Sequence, residues 1–479
     1  MNKLKAPVVT NVNKMTTIKK SKWRKMAQVY KLALFLSLFI FVGCGPKNTG
    51  DLIGIQDRGL WFHPQPFGTV YIPSGTYHSG QRDQDVFQSF VAPNKQVSIV
   101  AFWMDETEIT NNEYRQFVDY VIDSIKRVKA GGDDDKVFTP FADNYTGDQS
   151  INEGNGFINY DYDPDWEKLE ADGTLDDLYY TAENRFRGKK QLDVNQLYYQ
   201  YQWFDYQFAA NDPDNQDKYQ EKRVDNRKKY IKNEKTLIYP DTLCWVRDFT
   251  YAYNDPMARH YYNHVKYDDY PVVGVNWHQA NAFCAWRTIF KNAYWESYGD
   301  PTTEDFRLPT EYEWEYAASG GRVGNPYPWG GPYTRNSKGC MLANFKPLRG
   351  NYGVDGGMYP VRVDSYFPND YGLYNMAGNV AEWTCNAWSE QSHVFTHDLN
   401  PDFRVNVAEF ANDGKGNRTG PETSPMTMKR KVIKGGSWKD IAYFIQNGSR
   451  TYEYQDTSKS YLGFRCIQTY IGRSNKDRK

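Results

Sequence analysis

The chain has 479 residues with a formal net charge of −1, and it is 40% hydrophobic and 24% charged. Nine of its cations lie within the first 43 residues; without them the net charge falls to −10, which disfavours nucleic acid and anionic head groups as partners and suits divalent cations or a basic protein. The length exceeds one ordinary domain but is compatible with a single large core carrying an insertion. Aromatics reach 16%, with 14 Trp and 39 Tyr, a supply that fits a loop-rich fold pinned by rings or large contact surfaces.

In chain order, a cationic leader ends with Lys19, Lys20, Lys22, Arg24, Lys25 and Lys31, and the apolar run Leu32 to Val42 follows it. At roughly 1.5 Å per residue that run is too short to span a hydrocarbon core of about 30 Å, and it reads as a signal-peptide core over residues 1–43. Phe41-Val42-Gly43-Cys44 then matches a lipoprotein cleavage box, with Phe41 bulkier than the usual Leu. The expectation is a Cys44 thiol carrying diacylglycerol, so that acyl chains hold the body to a bilayer with no membrane-spanning helix. Residues 44–67 form a spacer that leads into a short docking segment, Leu60-Trp61-Phe62.

Strand-like runs follow at Thr69 to Ile72 and at Gln96 to Met104, where Val97, Ile99, Ala101 and Trp103 alternate with their neighbours. Three helix starts carry the same device: Thr110 to Glu113, Asn276 to Gln279 and Thr310 to Glu313 each set a capping side chain three residues before Glu or Gln. Tyr114, Phe117, Val118, Val121, Ile122 and Ile125 then fall on one helical face. From about 130 to 269 the texture turns to Asp, Asn, Lys and Tyr with little periodicity, which marks a polar insertion, either partly disordered or clasping the main body. Trp203, Phe204, Tyr206, Phe208, Trp245 and Phe249 favour order in its second half. Beyond residue 270, Gly, Pro and Trp recur in short motifs within a compact, turn-rich region, and residues 468–479 form a tail.

Those motifs resemble the formylglycine-generating-enzyme (sulfatase-modifying factor) family. The blocks are Val70 to Tyr77, Asp105 to Tyr114, Pro271 to Trp277, Phe283-Cys284-Ala285-Trp286, Arg307 to Glu315, Tyr371 to Trp383, Lys434-Gly435-Gly436-Ser437-Trp438 and Gly463-Phe464-Arg465-Cys466. The resemblance implies an α+β fold, related to C-type lectins and low in regular secondary structure, over residues 68–467. Within the family, Met104 to Phe117 and Tyr239 to Thr250 resemble lipoproteins of the Bacteroidetes gliding-motility and type IX secretion machinery, among which a sibling J-type component shares the fold. This implies an outer-membrane lipoprotein on the periplasmic face. Its partners would be an N-type ring protein, other copies of itself, outer-membrane components of the machinery, and the bilayer through Cys44.

The family's oxidase chemistry uses two cysteines shortly after the Gly-Gly-Ser motif, where soft thiolates bind Cu(I). Here Gly435 to Gln446 contains no Cys, so copper chemistry by that route is excluded and no catalytic residue is expected. The pairs His260/His264 and His393/His397 have helical spacing but no His-Glu-x-x-His context, and the Tyr-rich flanks of the first suggest packing. By resemblance, calcium is the better metal. One site would use Asn375, Gly378, Val380 and Glu382; a second would use Asn344, Phe345, Asp355 and Gly357. Asn375 and Glu382 can equally serve only to hydrogen-bond a tight turn. The resemblance also pairs Cys284 with Cys466 in a disulfide; a pairing of Cys340 with Cys385 is a guess apart from that resemblance, and an odd cysteine remains. A glycan- or peptidoglycan-binding lipoprotein is the alternative reading, suggested by the lectin-related fold and the Trp and Tyr supply.

Overall fold

Local capping chemistry fixes where the three long helices begin. In each, the capping side chain accepts the third residue's backbone N–H while that residue's Glu or Gln accepts the cap's own N–H. These helices are α1 (Asn111–Ala130), α2 (Trp277–Ser297) and α3 (Glu311–Ser319). Each cap satisfies N–H groups that a helix leaves without partners, a contribution of about 1 kcal/mol. The computed structural model describes residues 63–80, 92–131, 137–139, 157–212, 227–251, 253–347, 351–405 and 426–472, all within the unit Phe62–Lys479. The expected signal peptide (residues 1–43), Cys44, Leu60-Trp61-Phe62 and Asp133 to Asp135 lie outside them.

The strands are β1 (Thr69–Ile72), β2 (Gly75–Ser79), β3 (Lys95–Ile99), β4 (Phe102–Asp105), β5 (Phe138–Thr139), β6 (Phe157–Ile158), β7 (Tyr198–Phe204) and β8 (Ile231–Leu237). They continue with β9 (Phe306–Arg307), β10 (Ala381–Ala387), β11 (Arg430–Lys434), β12 (Thr451–Tyr454), β13 (Leu462–Gly463) and β14 (Ile467–Thr469). One four-stranded sheet has the order β1-β4-β14-β9 and the other β12-β11-β10-β13; the remainder are two-stranded pairs. The only parallel pairing among these strands is β10 with β13. Helix α1 buries Tyr114, Phe117, Val118 and Val121, which pack with Phe283, Cys284, Trp383 and Phe464; Ile122 and Ile125 are half-buried at its margin.

The run expected as one strand over Gln96 to Met104 is two. It breaks at Val100, which is 41% exposed and whose N–H donates to Asn400 Oδ1 at 2.9 Å and not to a neighbouring strand. β3 therefore pairs with β2, while β4 crosses to β1 and β14. All four residues of β4 are buried because it is an inner strand, so alternation does not hold there.

Helix α3 buries every one of its nine residues, including Glu311, Glu313 and Glu315. A carboxylate out of water costs several kcal/mol without a partner, and each of these has one. Arg450 Nε donates to Glu311 at 2.7 Å, Arg307 Nη2 to Glu313 at 2.6 Å and Lys434 Nζ to Glu315 at 3.2 Å.

The described part of the insertion clasps the body. Leu197, Tyr201 and Ile238 join the same core as Tyr114 and Phe283, and Gln279 of α2 donates to the carbonyls of Leu237 and Tyr239 at 2.9 and 3.0 Å. Trp245, Phe249 and Tyr261 pack on Trp438 and Val380. The body also extends past both expected limits. His63 is buried and stacks on Tyr470 with centroids 5.6 Å apart, and Gln468, inside β14, is fully buried, so 63–67 is no free spacer and 468–470 no free tail.

Candidate functional site

A fully buried polar cluster sits where the loop before β10, the loop before α1 and the segment between β13 and β14 meet. Glu382, on a strand buried along its whole length, is 0% exposed. Arg465 grips it with Nε to Oε2 at 2.7 Å and Nη2 to Oε1 at 2.6 Å, and Trp314 Nε1 donates to Oε2 at 2.7 Å. Arg465 also donates to the carbonyls of Tyr374 and Asp105, at 3.0 and 3.3 Å. This planar fork-to-carboxylate geometry is the strongest form of ion pair available to a protein interior.

Beside it lies Glu108, which the sequence did not single out. It is fully buried, its Oε2 accepts Asn375 Nδ2 and its Oε1 accepts Asn379 Nδ2, both at 3.0 Å. Burial pushes its carboxyl up to about 8, against the pull of Arg465 and with a further push from Glu382. No local pattern separates Glu108 from exposed Glu106 two residues earlier; only the tertiary fold buries one and not the other.

The two expected calcium sets are brought side by side. Asn379 N–H donates to the Asn344 carbonyl at 2.9 Å, and a Cβ on Gly378 would stand 2.2 Å from that same oxygen, so only glycine allows the approach. Asn375, Gly378 and Asn379 all have positive φ, at 51°, 78° and 62°. In the second set, Asp355 accepts the N–H groups of Phe345 at 2.9 Å and Gly357 at 3.4 Å. Two buried oxygens, Asn375 Oδ1 and Asn344 Oδ1, have no hydrogen-bond partner among the described residues. Buried polar atoms are rarely left so, and both oxygens are hard donors of the kind calcium takes. Glu382 fits less freely: three donors occupy three of its roughly four lone-pair positions, leaving one on Oε1. The residues therefore fit an ion held mainly by amide and backbone oxygens. Among the described residues no three His, Cys, Asp or Glu side chains gather as a metal cluster.

The segment Gly435 to Gln446 is filled with packing and turn contacts. Asp440 accepts Ser437 N–H at 2.9 Å and its hydroxyl at 2.5 Å, Trp438 stacks on Trp245 and Phe249, and fully buried Ile445 packs with Tyr327, Phe345 and Ala377. Cys284 and Cys466 are both buried with their sulfurs in contact at 3.3 Å, as two thiols. Cys340 is exposed and Cys385 buried, and neither is paired.

The histidine pairs are packing and turn elements. His260 and His264 meet edge to face at 6.1 Å, and His264 Nδ1 accepts the Lys266 N–H. His397 Nδ1 accepts the Leu399 N–H at the surface, while His393 is buried against Tyr312. Burial lowers the His393 ring to about 4, opposed by Glu311 and assisted by Arg450 and Lys434. A neutral ring in the fold against one of ordinary basicity in the unfolded chain gives stability that is present above about pH 6.5 and lost as pH falls towards 4. The loss is on the order of 3 kcal/mol. Melting followed from pH 7 to 4 is expected to show this acid limb, to which His63, lowered by burial to about 4 as well, also contributes, and His393→Leu to make it shallower.

With this geometry in view, comparison with known proteins identifies the family. The model of the sulfatase-modifying factor enzyme 1-like domain matches residues 63–470, and the chain belongs to that family. It is 34% identical over 209 residues to formylglycine-generating enzyme of Mus musculus, covering 42% of this chain and 45% of that one. It is 31% identical over 216 residues to a Mus musculus protein named inactive C-alpha-formylglycine-generating enzyme 2, covering 43% and 51%. The chain thus matches about half the length of these curated relatives. Among solved structures, PvdO from Pseudomonas aeruginosa covers 84% of this chain and 94% of its own at 15% identity, with a TM-score of 0.39. The fold is that of the family, mixed helix and sheet with modest regular secondary structure.

Proposed function

We propose that this chain is a non-catalytic, lipid-anchored scaffold, a K-type component of a periplasmic ring that serves type IX secretion and gliding motility at the outer membrane. The observation that carries the reading is the segment Gly435 to Gln446: it belongs to a family that includes oxidases, yet it holds no cysteine and is filled by Trp438 and Ile445. The resemblance of Met104 to Phe117 and Tyr239 to Thr250 to secretion lipoproteins, and the lipobox ending at Cys44, supply the setting. A family relative named as inactive supports the idea that the fold persists without the chemistry. On this reading the insertion and the acidic body offer surface to an N-type partner, to neighbouring copies and to outer-membrane components, and the thiols of Cys284 and Cys466 close to a disulfide in an oxidising compartment.

Calcium, in this proposal, is structural. Asn375, Glu382 and the Gly378 and Val380 carbonyls would hold one ion, and Asn344, Asp355 and the Phe345 and Gly357 carbonyls the other. Such ions tie loops that no strand ladder holds. Chelator is expected to lower the melting temperature and added calcium to restore it; identical melting in both rejects the ions.

Purification of the tagged chain from detergent-solubilised envelope tests the function. A second polypeptide recovered in near-equal amount supports a scaffold. A lone chain that pellets with purified cell-wall sacculi would instead make it a glycan binder.

A further inference from the structure

Two oxygens left without partners inside one hydrogen-bond network need an explanation of how they are kept pointing where they do. The Asn375 amide is oriented by its nitrogen: Nδ2 faces two acceptors, Glu108 Oε2 at 3.0 Å and the Val363 carbonyl at 2.9 Å. The Asn344 amide is likewise fixed by Nδ2, which donates to the Tyr359 carbonyl at 2.9 Å. Between them stands Asn379. Its Nδ2 donates to the other oxygen of Glu108, and its Oδ1 accepts the Val361 N–H at 2.9 Å and lies 3.5 Å from Asn344 Nδ2. Glu108 itself has no basic side chain as a hydrogen-bonding partner among the described residues; both of its oxygens are given to amide groups.

We infer that Glu108 is a positioning residue for cation binding: it holds the Asn375 and Asn379 amides by their nitrogens, leaves Asn375 Oδ1 and Asn344 Oδ1 facing outward from the network, and links the two cation loops. This rests on the calcium reading given above. The chemistry is that of an outer-shell carboxylate that aims a ligand without touching the ion. Both Glu108 oxygens accept an amide N–H, a pattern that a glutamate side chain meets with two oxygens and a carboxamide, with one oxygen and one NH2, does not. A glutamine there would turn an NH2 towards one of the two asparagines, and that amide would have to rotate its oxygen inward, away from an ion.

Calcium titration calorimetry on the full lipidated chain in detergent tests this with Glu108→Gln, an almost isosteric change. The expected result is calcium affinity weaker by about 10- to 100-fold, the range typical of outer-shell partners, with calcium-free melting close to that of the parent. A merely structural glutamate would shift the calcium-free melting and leave the affinity unchanged, and that outcome overturns the inference. Asn379→Gly provides a second variant should the first not fold, because φ of 62° at this position suits glycine. It removes the side-chain links to Glu108 and Asn344, keeps the backbone bond to the Asn344 carbonyl, and is expected to weaken calcium binding; unchanged affinity again overturns the inference. If the parent chain shows no calcium heat at all, the calcium reading falls and this inference with it; parent binding with unaffected variants sinks only the role of Glu108.

Discussion

Arg465→Ala is expected to cost about 3–5 kcal/mol of stability, the usual effect of removing one partner from a fully buried ion pair. Neither Arg465 nor Glu382 exposes any side-chain surface, and alanine would leave the Glu382 carboxylate with only the Trp314 indole N–H as donor. The loss spreads further, because the same guanidinium ties the carbonyls of Tyr374 and Asp105 to the segment between β13 and β14. Arg465→Lys should recover little, since one ammonium cannot reproduce a two-point fork. Chemical denaturation of the parent and both variants measures this; a loss below about 1 kcal/mol for alanine would show that the cluster is not the structural hub its geometry describes.

The second large effect concerns the proposed lipid anchor. Cys44→Ala should move the protein from the membrane to the soluble fraction, because each acyl chain contributes about 0.8 kcal/mol per buried methylene and no described helix is long and apolar enough to span a bilayer. Fractionation of cells carrying each version, followed by immunodetection, reads the result directly. A variant still found wholly in the membrane fraction would remove the lipoprotein reading and with it the setting of the proposed ring.

How much of this was legible in the sequence differs by element. The three helix starts were, because a capping box is a local device written in four residues, and Thr110, Asn276 and Thr310 each perform it. The buried face of α1 was legible for the same reason, as a repeat within one element. The break at Val100 was not, since the group that interrupts the strand, Asn400, lies 300 residues away. Nor was the burial of Glu311 and Glu315 in α3, whose cations Arg450 and Lys434 lie 139 and 119 residues away in the chain; Glu313 differs, with its capping role written locally and its cation Arg307 only 6 residues upstream. The candidate site was half legible. Its asparagines and Glu382 came with the family's motifs, and the structure brings both sets together around Gly378. Glu108, which connects them, carries no local mark. In the insertion, aromatic residues signalled order in the second half, but the burial of Leu197 and Ile238 in the central core arises from tertiary contacts alone.

That a family fold without its copper cysteines serves as a building block is tested most directly by the number of copies per particle. Particles carrying the tagged chain, extracted from outer membranes in mild detergent and imaged singly, should be closed rings that contain many copies of the chain alternating with a partner. Isolated single copies under the same extraction, with no ring and no partner, would contradict it.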